Sequence, residues 1–362
     1  VKHLTSLLLF FVILFTSCFS PAVVGAEAAA SAAAPQPSAD PLVAQTVPVI
    51  LFGIGMHIEP FGAQASSLAG AVLQAEKNGR KPSYFTREFY THHVQDIRLV
   101  AGIIERHGGR MTVGAQTPFT QVTSQGRNTI LSDLSRQGHE IALHFHEDAH
   151  LGQNPEKLPP ETWCAVMKEE MEILRQASGV DRIRYWSGGN LYPRLFDAAE
   201  CAGLDVNSDW KNPRTQSGQK MLTGLQPWRP AGGTDGVDFS RISMHDPLGK
   251  TIFLPEGIYA RADYAHVRQE QGSDAAYFEF LKQSLLASVA AAQPGKVNVF
   301  HFNIHPGEFR SGSVPFEVIE RFLAEVVDPL AASGKLRWAT FSEMADAYRA
   351  WELANPGASP LP

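Results

Sequence analysis

Residues 138–150, GHEIALHFHEDAH, hold four of the chain's thirteen histidines and three carboxylates. On an extended strand alternate side chains share a face, so Ile141 and Leu143 point one way while His144 and His146 point the other. Neutral imidazoles two residues apart, with Glu147 and Asp148 beside them, make a plausible divalent-metal site. The competing reading is a solvated polar loop carrying scattered histidines.

More residues of this kind stand at the ends of other apolar runs. His57 and Glu59 share a face in GMHIEPFG, Arg184 and Ser187 lie in RYWSGGN, Asp209 and Trp210 in NSDWKN, and His305 in HFNIHPGE. Five successive strand ends therefore offer His, Glu, Asp or Arg. If the strands run parallel, their carboxyl ends converge on one mouth, and the set reads as a catalytic metal centre.

The elements that would position these residues alternate from residue 47 onward. VPVILFGIG is a buried-strand run, HHVQDIRLVAGIIERHGG an amphipathic helix closed by glycine, and RMTVGA a strand. NTILSDLSRQG is a helix, HEIALHF a strand, and PETWCAVMKEEMEILRQASG a long helix with proline near its start. RIRYWSGG, YPRLFDAAECAG and LDVNSDW continue as strand, helix and strand. About residues 211–268 the rhythm breaks into an elaborated Gly/Pro/Gln-rich loop region, with short strands expected at RISMH and TIFLPEG. It resumes with AAYFEFLKQSLLASVAAA as helix, KVNVFHFNIHP as strand, a helix from Pro315 to Ser333, and KLRWATFSEMADAYRAWE at the end. Repeated βα units predict an α/β fold, a parallel barrel or sheet with its site at the strand ends.

Composition agrees with a folded core: 44% hydrophobic and 19% charged over 362 residues. The net charge of −6 comes with no basic cluster, which argues against a nucleic-acid partner. Residues 1–26 read as an export signal: Lys2 and His3, an apolar run, then a small-residue pattern ending at Ala26. FTSC, ending at Cys18, offers the alternative of a lipoprotein site and hence a lipid anchor. Either reading places the protein in the periplasm, on the cell envelope or outside the cell. Residues 27–46, rich in Ala, Pro and Ser, form a flexible tether; 47–352 make the barrel, and 353–362 a tail. A disulfide between Cys164 and Cys201 is possible in such a compartment.

In this order the motifs resemble the polysaccharide deacetylase family, also called the NodB homology or carbohydrate esterase family 4 group. GHEIALHFHEDAH resembles its second motif, RYWSG its third, SDWKN its fourth, FHFNIHPGE its fifth, and GKLRWATFSEMADAY its closing segment. The likeness spans roughly residues 47–350. It implies a deformed (β/α) barrel of the NodB type, a divalent metal, most often Zn2+, and hydrolysis of acetyl groups from a polysaccharide or oligosaccharide. The first motif departs: where the family has two adjacent aspartates, this chain has His57-Ile58-Glu59.

Carried over residue by residue, the resemblance makes Glu59 and His144 metal ligands. His146 and Asp148 compete for the third place, and His146 with His150 is an alternative pair. His57 falls at the position of the base, although it could be a fourth ligand or a mark of lost activity. A backbone N–H near Ser187 would face the oxyanion, and His305 would protonate the leaving group. Arg184 would orient the base or a carboxylate, and Asp209 would hold His305. Trp210 and Trp228 either stack on sugar or simply pack. His301 is expected in the core, His92 and His93 in solvent, and His245 and His266 in the variable region. Two further readings stay open: a catalytically inactive barrel that binds carbohydrate, and a hydrolase of another amide or of an O-acetyl ester.

Overall fold

The computed structural model describes residues 47–59, 84–152, 154–188, 192, 195–208, 223–231, 239–258, 272–312 and 314–361. Eight strands carry the architecture: β1 Ile50–Ile58, β2 Thr112–Ala115, β3 Glu140–His144, β4 Tyr185–Ser187, β5 Val206–Asn207, β6 Ile252–Phe253, β7 Asn298–Ile304 and β8 Leu336–Trp338. Between and after them run α1 Arg87–Arg106, α2 Phe119–Gln125, α3 Ile130–Arg136, α4 Glu147–His150, α5 Pro160–Ser178 and α6 Leu195–Ala202. They are followed by α7 Phe239–Ile242, α8 Asp274–Ala291, α9 Pro306–Ser311, α10 Phe316–Phe322, α11 Asp328–Ala332 and α12 Phe341–Ala354. A π-helical turn, Leu323–Val327, joins α10 to α11. The expected strand at RISMH is replaced by α7 and a single antiparallel bridge, Pro230 to His245.

All registered pairs are parallel, in the order β6-β5-β4-β3-β2-β1-β7, with β8 also on β1. Strand β1 is nine residues long and buried throughout, so one edge can serve two partners. Its first residues, Ile50–Phe52, pair with β8 and its last, Gly55–Ile58, with β2, while the other edge takes β7. The curled sheet closes through a different device. Trp228 bridges Phe253 of β6 antiparallel, and the Leu225 carbonyl accepts from Val299 N–H of β7 at 2.7 Å. Segment 223–231 thereby spans the gap between β6 and β7, completing a deformed (β/α) barrel.

Alternation divides the strands into two faces. Ile50, Phe52, Ile54, Met56 and Ile58 face the surrounding helices and join the larger core. The other face of β1 is Gly53, Gly55, His57 and then Glu59. Both glycines are forced by packing: a Cβ at Gly53 would lie 2.8 Å from the Ala339 carbonyl, and one at Gly55 1.9 Å from Asn303 Oδ1. Phe341 and Met344 of α12 occupy that floor, together with Leu51, Ala142, Tyr185, Val206 and Leu254 in a second apolar cluster. The barrel is thus filled from below by an α-helix, and its upper interior is left to polar side chains. A Cys164–Cys201 disulfide ties α5 to α6.

His301 lies fully buried on β7, its ring tilted against Phe341 at 4.5 Å, with Nε2 3.2 Å from the Leu254 carbonyl. It is a core histidine, and burial pushes its pKa from 6.5 to about 4. Because the unfolded chain binds a proton there that the folded chain refuses, this residue's contribution is present above pH 6.5 and is lost as pH falls towards 4. The expected loss at about pH 5 relative to pH 7 is roughly 2 kcal/mol. Urea unfolding of wild type and His301→Gln at the two pH values measures it. The variant should show a smaller pH dependence by about that amount; an unchanged dependence refutes the assignment.

Candidate metal centre

Glu59 stands one residue beyond the last registered pair of β1 and is buried. Its Oε2 lies 3.1 Å from His144 Nε2 and 3.0 Å from His146 Nε2. The three donor atoms fall within 4.8 Å of one another. His144 is the last residue of β3 and His146 caps α4, so the two-residue spacing read from sequence does bring both rings to one point.

The donor chemistry suits a divalent ion. His144 Nδ1 is 3.0 Å from Ser187 Oγ, so a neutral ring can donate from Nδ1 to that hydroxyl and keep the Nε2 lone pair for a metal. Gly188 makes the approach feasible. Its φ of +89° is a left-handed conformation, and a Cβ there would sit 2.9 Å from His144 Cε1 and 3.2 Å from the Phe145 carbonyl. The glycine of RYWSGG therefore serves the packing of His144. His146 is fixed through its backbone N–H, which donates to Gln116 Oε1 at 3.2 Å.

His305 completes the cluster from β7. Its Nε2 lies 3.1 Å from Glu59 Oε1, the oxygen left over by the other two histidines. Its Nδ1 lies 2.7 Å from Glu308 Oε1, while Glu308 Oε2 accepts from His305 N–H at 2.9 Å. HPGE is thus a capping box in which the histidine is the N-cap of α9 and the acid sits at the third helical position. Burial opposes a charge on His305, yet Glu308 and Glu59 together raise its pKa well above the ordinary value. Glu59 shows the reverse balance: burial would raise it, but His146, His144 and His305 hold it well below the carboxylate range.

His57 behaves oppositely to His305. Its ring stacks on His144 at 4.3 Å and meets His305 edge-on at 5.3 Å. Burial first, then the neighbouring His144 and His305, lower its pKa well below 6.5, and its Nε2 has no hydrogen-bond partner among the described residues.

Several expectations need correcting. Arg184 precedes β4, at the end of the strand remote from the mouth. There it pairs with Asp205 at 3.2 Å and with Asp346 of α12 at 2.8 Å, so it fastens the helix beneath the barrel and does not orient a base. Ser187 ends that three-residue strand at the mouth, and its hydroxyl supports His144. Trp228 is a core pillar: its Nε1 donates to the Ile242 carbonyl at 2.7 Å and its ring packs 4.7 Å from Phe253. His150 turns away, with Nε2 3.0 Å from Gln116 Oε1 and Nδ1 3.4 Å from Glu170, so its pairing with His146 fails. His139 supports the start of β3 through Met111 N–H and Glu105. His245 meets the Arg229 N–H far from the cluster. His93, expected in solvent, is buried. Asp209, Trp210, His266, the Asp148 side chain and residues 1–46 lie outside the described residues. Glu308 was missed, although the His-x-x-Glu spacing of a capping box was present in HPGE.

No family model and no curated protein matches the sequence. Solved structures do match its fold. A protein assigned as a polysaccharide deacetylase from Mycobacterium smegmatis aligns at 14% identity over 85% of this chain and 96% of its own, with a TM-score of 0.53. One similarly assigned from Pseudomonas aeruginosa PAO1 aligns at 15% identity over 86% and 93%, with a TM-score of 0.52. The Puue allantoinase aligns at 13% identity over 90% and 96%, with a TM-score of 0.53. The barrel is therefore of the NodB, polysaccharide-deacetylase type.

Proposed function

We propose that this chain is an exported, metal-dependent hydrolase that removes acetyl groups from a polysaccharide or its fragments. The observation that carries the reading is the convergence of Glu59 Oε2, His144 Nε2 and His146 Nε2 beside the buried His305–Glu308 pair. Those three side chains would hold the ion, leaving Asp148 unneeded as a ligand. Zn2+ suits the two imidazoles and one carboxylate, and when bound it supplies Lewis acidity and a lower pKa for water.

The remaining work falls to the chain's own side chains. Two neighbouring histidines are driven apart in basicity, which is how one site holds an acid and a base at the same pH. His57 is neutral with an uncommitted Nε2, so it takes the proton of the attacking water. His305, kept protonated by Glu308, donates from Nε2 to the departing amine or alkoxide. Glu308 fixes the ring by gripping both its Nδ1 and its backbone N–H. Ser187 keeps His144 in one orientation. Export, with or without a lipid on Cys18, rests on the character of residues 1–26; no helix among the described residues is long and apolar enough to cross a membrane.

The test is acetate release from partially acetylated glucosamine polymers and from an O-acetylated exopolysaccharide, with and without chelator. Chelator-sensitive acetate, restored by Zn2+, is the expected result. Stoichiometric zinc with no acetate, but ring opening of a cyclic ureide to a new carboxylate, or amine released from an acyclic amide, would move the same centre to a different amide. Neither metal nor turnover would leave a carbohydrate-binding barrel.

A further inference from the structure

His93, on the buried face of α1, and Tyr84, in the turn just before that helix, form a polar pair that the catalytic description leaves unused. Tyr84 is 1% exposed and donates its hydroxyl proton to the Glu59 carbonyl at 2.7 Å. The same oxygen lies 2.8 Å from His93 Nδ1. A tyrosine hydroxyl has one proton, already given to Glu59, so the second contact requires His93 to donate from Nδ1. The chain of donors thus runs from His93 through Tyr84 to the backbone of the metal-binding carboxylate. Burial, reinforced by Arg310, keeps His93 neutral, with its pKa pushed down to about 3.

The far edge of the same ring faces the other half of the centre. A Cβ on Gly307 would lie 3.3 Å from His93 Nε2, so the imidazole rests against the turn that follows His305. Arg310 of α9 reinforces this seam, pairing with Asp96 at 2.9 Å and donating to the His92 carbonyl at 3.3 Å and to Gln95 Oε1 at 3.2 Å. One helix face therefore touches both the support of Glu59 and the turn of His305.

We propose that Tyr84 and His93 are positioning residues that fix Glu59 for metal binding and set its spacing from His305. The pair rests on the reading of Glu59 as a ligand. Glu59 lies beyond the strand ladder, where its peptide has no registered sheet neighbour to hold it. Partners that orient a metal ligand typically change affinity by about 10- to 100-fold when removed.

The probe is Zn2+ alone, titrated against a chelating dye into the full chain. Tyr84→Phe keeps the ring and loses the hydroxyl; it should weaken Zn2+ binding by about 10-fold or more. His93→Leu should do the same, and His93→Asn, whose amide offers a donor near the position of Nδ1, should recover most of the loss. The double variant Tyr84→Phe/His93→Leu should lose no more than the worse single variant, since the two act in series. In the metal-free protein, the 15N–1H spectrum should show His93 as the Nδ1–H tautomer. A His93 protonated on Nε2 overturns the pair whether or not the centre takes zinc. So do wild-type Zn2+ affinity in Tyr84→Phe, or a loss in His93→Leu that Asn does not recover. Wild type that binds no zinc, or His144→Ala that binds it normally, overturns the ligand reading instead.

Discussion

Glu59→Gln should yield a folded protein that binds Zn2+ more weakly by well over the roughly 100-fold typical of losing an outer partner, and that releases no acetate. The carboxylate touches three imidazoles at 3.0–3.1 Å and is the only negative charge among the three candidate ligands. Glutamine preserves the volume but presents an amide. It cannot neutralise a divalent ion, and its NH2 confronts either the Nε2 atoms of His144 and His146, which must keep their lone pairs for metal, or the protonated Nε2 of His305, where donor would meet donor. His144→Ala should match it for zinc. Metal content by mass spectrometry and acetate release in the same preparation decide the matter; a variant retaining one zinc and normal turnover removes Glu59 from the centre.

His305→Gln should keep its zinc and lose about 10²- to 10⁴-fold in kcat, the range for removal of a general acid or base. The ring touches Glu59 but is not one of the three converging donors, so the metal should stay. Glu308→Ala should cost about 10- to 100-fold, because His305 then loses both the anion that supports its positive charge and the grip on its backbone N–H. It should also lower the unfolding free energy by about 1 kcal/mol through loss of the cap. Zinc content, kcat and urea unfolding separate these effects. If His305→Gln sheds its metal, the residue is a ligand and the acid lies elsewhere.

Much of the barrel could be read from periodicity. VPVILFGIG is buried on both faces, and HEIALHF alternates, so β1, β3 and the faces of His57, Glu59, His144 and His146 followed from spacing. What spacing could not give was position along a strand. RYWSG placed Arg184 and Ser187 in one motif, but the extended segment is only three residues long and puts them at opposite ends. Trp228 could not be distinguished from a stacking platform, because its role comes from an antiparallel bridge between segments distant in sequence. In sequence His93 is indistinguishable from His92, yet the helix turns about 100° between them, burying His93 and leaving His92 half-buried. Glu308 is the opposite case: its signal is local, the His-x-x-Glu spacing of a helix cap, and carries no mark of a catalytic role by itself.

The shared edge of β1 also governs the order in which the molecule can be assembled. The first long strand to emerge finds β2 soon, but β7 and β8 come from near the other end of the chain. Until they arrive, an entirely buried strand type shows a bare edge and an apolar face, the condition that favours association with other chains. Such distant pairings make for high contact order and slow folding. Glu59 and His305 meet only when β7 has docked, so the complete centre is among the last features to form. The three candidate ligands, Glu59, His144 and His146, all stand at the ends of β1 and β3, so what β7 adds to them is His305.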